Sequence, residues 1–444
     1  MNGLSSERSE AFARRRARVF ETLAADGALI LAAAPELRVG YDTELRYAVD
    51  ADLYYLTGYT EAEAVLVLCP SFEDGPYTMF VRPRDVEREI WTGPRGGPAA
   101  AIERFGADAA HPIVELTERL PKMLAGVNRV FARLDGGRPD VEALVLAAVR
   151  RARRARPRRG VGPNALIEPG AILDEMRLRK DGTELSELRR AADISVAAFA
   201  DAVACIAPGA GEWRIEAALE AGFRSRGADG AAFPSIVASG ANAAVLHYVE
   251  NRRVMNAGEL VLLDAGARRG MYCADISRTY AVSGPLAAEQ AALHAGVQAA
   301  RDAGIAAVRA GASIDDPHVA ALSVLLETLR ELGFLDGTIH DLQGREEEWK
   351  PFFPHRTSHW LGLDVHDVGD YVVNGEPRLL EPGMVLTIEP GLYIPASIER
   401  GPASLRGAGV RIEDDVLVTE HGPDVLTALL PAGPDPSDAA GARS

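Results

Sequence analysis

Short apolar runs separated by amphipathic segments mark the first third of the chain. Apolar residues at helical spacing predict helices, whereas runs of about five apolar residues bounded by turn signals predict strands. The predicted helices are Arg8–Leu23, Ala99–Phe105, Leu116–Ala125 and Pro139–Arg150, and the predicted strands are Ala28–Ala33, Ala64–Cys69, Tyr77–Val81 and Val130–Leu134. Because the two kinds of element alternate, we expect a small α/β domain over residues 1–173.

A second pattern begins near Asp174 and occurs twice. Asp181 followed by Glu184 is typical of a capping box at the start of a helix. In each half, two predicted helices precede extended segments: Leu185–Val203, Ile215–Phe223 and Phe233–Val282, then Leu286–Arg309, Asp315–Leu332 and His355–Glu420. We expect an α+β domain over residues 174–430, with helices outside a curved, largely antiparallel sheet. The tail, residues 431–444, is rich in Pro, Ala, Gly and Asp and is predicted to be disordered.

The composition is that of an acidic globular protein. The 444 residues include 48 Lys and Arg against 64 Asp and Glu, a net charge of −16. Nucleic acids and membrane surfaces are anionic, so we expect neither as a partner. The arginine-rich stretch Arg150–Arg159 is interpreted as a solvated helix end and linker or as an oligomer contact. Cys69, Cys205 and Cys273 form no CxxC pair and the polar N-terminus has no apolar signal segment, so we expect a cytoplasmic location.

Three common catalytic motifs are absent from the sequence. No lysine follows glycine as in a phosphate-binding P-loop, no histidine precedes glutamate as in HExxH, and no GxSxG occurs. These absences exclude P-loop NTPases, zincins and the common serine hydrolases.

Apolar strands that end in an acid are the first sign of chemistry. The run Leu260–Leu263 leads to Asp264, and a returning strand after Gly270 carries Asp275. A hairpin would place the two acids opposite each other on one face. A buried acid needs a cation or hydrogen bonds, so either a metal site or a solvated turn explains this pair.

The second half repeats the pattern. The run Met384–Ile388 ends in Glu389, and the alternating segment after Val410 places Arg411 and Glu413 on one face. Arg411 could hydrogen-bond and orient a carboxylate there. One such element could be a surface ion pair, but three apolar strands that each deliver an acid favour a common site.

Histidines concentrate near these acids. His355, His359 and His366 fall within one short segment, and His247 precedes the first acidic strand. Such a cluster indicates metal or proton chemistry. The other five lie in ordinary surface-like contexts and are assigned no role: His111, His294, His318, His340 and His421.

Four segments, in this order, carry a family resemblance: LLDAGARRGMYCADISRTY, HRTSHWLGLDVHDVG, LTIEPGLYI and GVRIEDDVLV. The chain resembles the pita-bread metallopeptidases, and within them the Xaa-Pro aminopeptidase (aminopeptidase P) branch. YDTELRYAVDADLYYLTGYTEAEAVLVLCP and RPRDVEREIWTGPR resemble that branch's N-terminal domain. The resemblance therefore covers essentially the whole chain and implies an α/β domain followed by a pita-bread catalytic domain.

The resemblance also implies roles for individual residues. The implied metal ligands are Asp264, Asp275, His359, Glu389 and Glu413, with Asp275 and Glu413 bridging two ions. The implied catalytic-site residues are His247, His355, His366, Glu389 and Arg411. Trp91 matches an aromatic residue that reaches a neighbouring subunit's site, and with His247 and His366 it is expected to bind substrate. Cys273 departs from the small residues common before Asp275, and it is either a redox-sensitive thiol or a buried filler.

The ligand types favour manganese independently of the resemblance. Four carboxylates and one imidazole make an oxygen-rich site, which suits manganese(II) better than zinc. Two divalent ions would balance four carboxylates and leave room for a bridging hydroxide as the nucleophile. Cobalt, iron or zinc could substitute. Glu389 is the candidate proton shuttle, and His247 and His366 are candidates for hydrogen bonds to the substrate.

Three functions remain open at this point. The first is an aminopeptidase that hydrolyses the N-terminal bond of peptides with proline second, and the alternative is prolidase, which cleaves Xaa-Pro dipeptides. The third is a catalytically inactive pita-bread module that binds peptides or proteins, although no ligand residue is lost. Methionine aminopeptidase is disfavoured because it lacks the first domain. The resemblance further implies a homodimer or homotetramer.

Overall fold

The structure is a computed structural model that describes residues 6–133 and 138–436. It divides into a first unit up to Met176 and a second unit from Arg177. None of the helices in the described part of the chain has the length and apolar composition needed to span a bilayer.

The first unit is built on one six-stranded sheet. Its helices are α1 (Ser6–Leu23), α2 (Ala51–Thr57), α3 (Val86–Thr92), α4 (Gly97–Phe105), α5 (Leu116–Met123), α6 (Pro139–Arg159) and α7 (Gly170–Leu178), the last crossing the unit boundary. Its strands are β1 (Gly27–Ala32), β2 (Arg38–Val39), β3 (Thr43–Glu44), β4 (Val65–Leu68), β5 (Tyr77–Val81), β6 (Ala109–Pro112), β7 (Arg129–Ala132) and β8 (Ala165–Ile167). The sheet has the order β6-β5-β4-β1-β7-β8 and mixes parallel with antiparallel pairs, while β2 and β3 form a separate hairpin.

The four predicted strands of this unit are all present, as β1, β4, β5 and β7. The end of the predicted strand at Leu134 lies outside the described residues. Helix α6 continues through the arginine-rich stretch to Arg159, so this stretch is helical and not a linker. Alanine and arginine are strong helix formers, and Gly160 in the left-handed region ends the helix.

The second unit contains six helices and thirteen strands among the described residues. The helices are α8 (Gly182–Val203), α9 (Glu212–Ser225), α10 (Ala288–Ala307), α11 (Asp316–Glu331), α12 (Ile339–Gln343) and α13 (Glu346–Trp349). The strands are β9 (Gly230–Ala231), β10 (Ile236–Ser239), β11 (Leu260–Ala265), β12 (Ala267–Arg269), β13 (Tyr272–Cys273), β14 (Ile276–Ala281), β15 (Val372–Val373), β16 (Glu376–Pro377), β17 (Val385–Ile388), β18 (Gly391–Tyr393), β19 (Gly409–Arg411), β20 (Asp414–Thr419) and β21 (Gly422–Val425).

Two helices followed by an antiparallel sheet occur twice, which confirms the predicted duplication. Helices α8 and α9 precede the sheet β10-β11-β14, and α10 and α11 precede the sheet β17-β20-β21. The predicted capping box is formed, since Asp181 and Glu184 exchange hydrogen bonds at the start of α8. Buried apolar side chains of α8 and α9 pack on the first sheet, and those of α10 and α11 form a second core.

The start of the predicted disordered tail is packed against the second unit. The carbonyl oxygen of Pro431 accepts a hydrogen bond from Arg278 Nε at 3.1 Å, and that of Pro434 accepts one from the Ala281 N–H at 2.8 Å. Buried partners for these carbonyls hold the chain in place despite its Pro- and Gly-rich composition. Residues 437–444 of the predicted tail lie outside the described residues.

Candidate metal centre and active site

Strands β11 and β14 supply the first two acids. Asp264 is at the end of β11, and Asp275 comes immediately before β14. The Asp264 carboxylate is held on one side by Arg411, whose guanidinium donates to Oδ2 at 2.5 Å, while Oδ1 is buried and has no hydrogen-bond partner among the described residues. Asp275 Oδ1 is likewise buried and unpartnered. Orphaned buried carboxylate oxygens are costly unless a cation binds them.

The predicted hairpin register is wrong by two residues. Asp264 pairs with Ser277 and Ala265 with Ile276, so the two acids are offset along the strands and not directly opposite. The cause lies at Gly266, where a Cβ atom would come within 1.6 Å of the Ala274 carbonyl oxygen. Only glycine permits that close approach, which lets the chain leave the sheet into the separate β12–β13 hairpin.

The second half supplies two further acids. Glu389 follows β17, and Glu413 lies between β19 and β20. The Glu413 N–H donates to the Ser277 carbonyl oxygen at 3.0 Å, and Ser277 Oγ donates to Glu413 Oε2 at 2.9 Å. Ser277 therefore joins the two halves of the unit at the point where their acids meet.

His359 is oriented by backbone contacts. Its Nδ1 lies 3.0 Å from the Trp360 carbonyl oxygen, which can only accept, so Nδ1 donates this hydrogen bond and Nε2 is the nitrogen left for a metal ion. Nε2 lies 3.5 Å from both Asp275 Oδ2 and Glu389 Oε1. The predicted ligand His359 thus points its free nitrogen at two of the predicted ligand acids.

A ligand-like cluster results from these placements. Asp275, His359 and Glu413 each offer an atom within 4.8 Å of the others. Burial raises the pKa of the Asp275 and Glu413 carboxyls well above their ordinary values, and the acids facing them raise it further. Burial raises the pKa of Glu389 as well. Cations would offset both the lost hydration and the mutual repulsion, so this donor set fits metal ions.

Arg411 organises the polar side of the site. Besides Asp264 it donates from Nε to Ser277 Oγ at 2.8 Å and from a terminal nitrogen to the Tyr393 hydroxyl at 2.8 Å. This fixed fork engages Asp264 Oδ2 and leaves Oδ1 without a contact to Arg411. The predicted role of Arg411 in orienting a carboxylate agrees with this geometry.

A cavity of about 850 Å³ opens over the cluster and is lined by all the predicted site residues of the second unit: His247, Asp264, Asp275, His355, His359, His366, Glu389, Arg411 and Glu413. Trp91 is the one predicted site residue of the first unit, in α3, with 87% of its surface exposed. The cavity walls also carry apolar side chains, among them Phe233, Ile236 and Leu246.

The three non-ligand histidines differ in their surroundings. His355 Nε2 lies 3.0 Å from the Tyr393 hydroxyl, and burial lowers the pKa of His355 to about 4. The ring centre of His366 lies 4.4 Å from that of His359, and burial lowers the pKa of His366 below its ordinary value. His247 sits in an exposed segment before β11. Because both shifts favour the neutral form, His355 and His366 can each donate one hydrogen bond and accept another.

Sequence reasoning missed several residues around the site. Asp415 accepts the Asp275 N–H at 3.2 Å and so fixes the backbone beside the cluster. His318, assigned no role, lines the cavity, and its Nδ1 lies 2.9 Å from Thr357 Oγ1. His294 is 2% exposed and hydrogen-bonded to the Thr279 carbonyl oxygen, so its assignment to a surface-like context is also wrong.

Some of these residues could have been found from local signals. Asp415 follows Glu413 at the strand period of two, which places both side chains on the same side of the chain. His318 comes three residues after the predicted start of a helix, but its contact with Thr357 joins residues 39 positions apart. Such a contact leaves no local pattern.

Comparison with known proteins follows the division into two units. The model of metallopeptidase family M24 matches residues 186–420, and that of the aminopeptidase P N-terminal domain matches residues 12–131. The Xaa-Pro aminopeptidase of Escherichia coli strain K12 is 37% identical over 429 residues, 96% of each protein. Aminopeptidase PepP of Pseudomonas aeruginosa is 38% identical with a TM-score of 0.93, over 100% of this chain and 99% of that one. A zinc-substituted E. coli aminopeptidase P in complex with product is 36% identical with a TM-score of 0.91, over the same shares.

Proposed function

The chain belongs to metallopeptidase family M24, and from this premise we propose how its site holds metal and cleaves a peptide. The chain is a metallo-exopeptidase of the Xaa-Pro aminopeptidase type, which hydrolyses the bond between an N-terminal residue and proline. This function is favoured over the prolidase alternative, because the Xaa-Pro aminopeptidase of E. coli and the aminopeptidase of P. aeruginosa match nearly the whole chain. The inactive binding module is disfavoured for the same reason.

The five predicted ligands hold two metal ions in this proposal. They are Asp264, Asp275, His359, Glu389 and Glu413, with Asp275 and Glu413 as the bridging pair. The observation that carries the proposal is the convergence of Asp275, His359 and Glu413 within 4.8 Å. The unpartnered oxygens of Asp264 and Asp275 support it, because no donor in the described part of the chain hydrogen-bonds to either of them.

Manganese(II) is the metal we propose. Four carboxylates outnumber the single imidazole, and oxygen-rich sites suit manganese better than zinc. Cobalt, iron and zinc remain substitutes, and one similar E. coli enzyme has been obtained in a zinc-substituted form. When bound, the ions supply an activated water as nucleophile and polarise the carbonyl of the bond to be cleaved.

Glu389 is the residue we assign to proton transfer. Its N–H is fixed by the Thr357 carbonyl oxygen at 2.8 Å, and Thr387 Oγ1 donates to its Oε1 at 3.3 Å. The carboxylate therefore stays beside the cluster, where it can take a proton from the attacking water and pass it to the departing proline nitrogen. As with any amide, the nitrogen can leave as a neutral amine only if it gains this proton when the C–N bond breaks.

The histidines position the substrate in this proposal. His247 and His366 lie on the cavity wall, where they can hydrogen-bond the substrate and the developing oxyanion. His355 reaches the site through Tyr393, whose hydroxyl also accepts from Arg411. The apolar wall near Phe233 and Ile236 offers a surface for the rigid proline ring.

Trp91 is proposed to act in a homodimer or homotetramer, near a neighbouring subunit's site. Helix α3 has no buried residue, and Ile90 and Trp91 are 79% and 87% exposed. Large exposed apolar side chains that lie together are typical of interaction surfaces. The cytoplasmic location and the absence of nucleic-acid partners stay predictions.

Metal analysis of two aspartate variants tests the proposed centre. Asp275→Asn should lose at least one of two ions per chain and all measurable turnover, because a bridging ligand is removed. Asp315→Asn is the matched control, since Asp315 lines the same cavity but pairs with Arg356. It should keep both ions. Full metal content and activity in Asp275→Asn would refute the centre.

A further inference from the structure

The segment that carries His247 is only partly buried. It runs from the end of β10 at Ser239 to the start of β11 at Leu260, and its middle is exposed, with Val245 53% and Val249 48% exposed. Part of the segment packs on a small apolar cluster around Ile236 and Leu262, with Ala243 buried in it and Leu246 and Tyr248 partly buried against it. His247 itself is exposed, so polar contacts supplement this packing in fixing where its ring stands.

One buried carboxylate collects most of these contacts. Glu212, the first residue of α9, is 0% exposed. Its Oε1 accepts from Ser239 N and Ser239 Oγ at 2.7 Å each and from Asn242 Nδ2 at 3.3 Å. Its Oε2 accepts from the Tyr248 hydroxyl at 2.9 Å and from Arg253 N at 2.8 Å. All five donors belong to the segment that carries His247.

The base of the segment, from Asn251 onward, has other polar contacts. Its tip, the part around His247, does not share them. Asn251 bridges to Val237 N and the Ser235 carbonyl oxygen, and Arg253 pairs with Glu259. At the tip, Asn242 and Tyr248 stand on either side of His247, and both donate to Glu212. Glu212 is thus the common point that ties the two flanks of His247 to the rigid helix α9.

We propose that Glu212 is a positioning residue for His247, acting through Asn242 and Tyr248. The inference rests on the substrate-binding role proposed for His247. A carboxylate that accepts five hydrogen bonds cannot rotate without leaving buried donors unpaired, so it holds both flanks at fixed points. Nothing else in the proposed mechanism uses Glu212, which lies outside the residues that line the cavity.

Tyr248→Phe is the selective test, because it removes the hydroxyl that donates to Glu212. It also removes the weaker acceptor of the Arg252 N–H at 3.3 Å, but it leaves the contacts of Asn251 and Arg253 at the base of the segment intact. It should lower kcat/KM for an Xaa-Pro tripeptide by roughly tenfold, the low end of the effect of losing an orienting contact at an active site. Bound metal should be unchanged. Tyr77→Phe is the control, since it also removes a hydroxyl hydrogen bond, to the Phe105 carbonyl oxygen in the first unit. It should leave kcat/KM unchanged.

A double variant distinguishes positioning from general damage. If Tyr248 and Glu212 act only through His247, Tyr248→Phe should cause no further loss in a His247→Ala background. Glu212→Gln should likewise cause no further loss in the His247→Ala background. In this variant the amide N–H would face the Arg253 N–H, so two donors would meet where a hydrogen bond stood before. Circular dichroism confirms that each variant is folded.

The inference is wrong if the two single losses of activity multiply in the double variant, or if Tyr248→Phe keeps wild-type activity. Either result would leave the proposed function standing. Wild-type activity of His247→Ala would instead refute the role of His247, and the inference would fall with it.

Discussion

Replacing Lys180 with methionine should destabilise the second unit by about 3 kcal/mol. Lys180 and Asp367 form an ion pair of 3.1 Å whose side chains are 0% and 1% exposed. Asp367 directly follows His366, so this pair anchors the segment that carries a proposed substrate ligand. Although burial opposes ionisation of Asp367, Lys180 and Arg177 hold the pKa of its carboxyl below the ordinary value.

The size of the expected loss of stability depends on which charges stay paired after Lys180 is replaced. Removing one partner of a buried ion pair typically costs about 3–5 kcal/mol. Arg177 still donates to Asp367 Oδ1 at 2.5 Å after the change, so the carboxylate keeps one cation. We therefore expect the lower end of that range. Since the pKa of Asp367 is depressed in the folded state, the stabilisation is present above its unfolded pKa and is lost as the pH falls through the folded value.

Urea unfolding at pH 7, followed by tryptophan fluorescence, measures this loss. Lys350→Met is the control, because Lys350 pairs with Glu346 on the surface, where such pairs contribute about 0.3–0.5 kcal/mol. The double variant Lys180→Met/Asp367→Asn should be more stable than the sum of the single losses predicts, by about 3 kcal/mol. If the losses of the two single variants sum to the loss of the double variant within about 0.5 kcal/mol, Lys180 and Asp367 are not coupled.

Three further predictions concern the site, the assembly and the thiols. His366→Ala should keep its metal but lose activity by about 10²–10⁴-fold, as expected for a positioned acid–base group; metal analysis checks this, and metal-free protein would contradict it. Trp91→Ala should weaken the predicted oligomer in sedimentation velocity, whereas a strictly monomeric, fully active wild type would contradict the assembly. A thiol reagent should modify Cys205 before the buried Cys69 and Cys273 in the native protein, because burial raises the pKa of Cys273 to about 12. Mass spectrometry measures the order of modification, and fast reaction of Cys273 would support a role as a redox sensor.

The burial of two proposed ligand acids, Asp264 and Glu389, was predictable because each follows an apolar run. An acid after Leu263 or Ile388 has no reason to be buried unless it works with others, and the sequence alone carries that signal. The duplicated order of helices and strands was predictable as well, because helices and strands place apolar residues at different spacings along the sequence.

Contacts between distant residues could not be predicted in this way. The offset of Asp264 from Asp275 depends on the close approach of Gly266 to Ala274, which no periodicity encodes. The pair of Lys180 with Asp367 joins residues 187 positions apart. The contacts of Glu212 are likewise set by tertiary packing, so its importance became visible only in the folded chain.

The choice among three short peptides decides whether this enzyme is an Xaa-Pro aminopeptidase that depends on metal. Initial rates of manganese-dependent cleavage should be compared for Ala-Pro-Ala, Ala-Pro and Ala-Ala-Ala at equal concentration. Ala-Pro-Ala should be cleaved fastest, with release of free alanine, and chelation of the metal should abolish the reaction. Cleavage confined to Ala-Pro, or faster cleavage of Ala-Ala-Ala, would contradict this function.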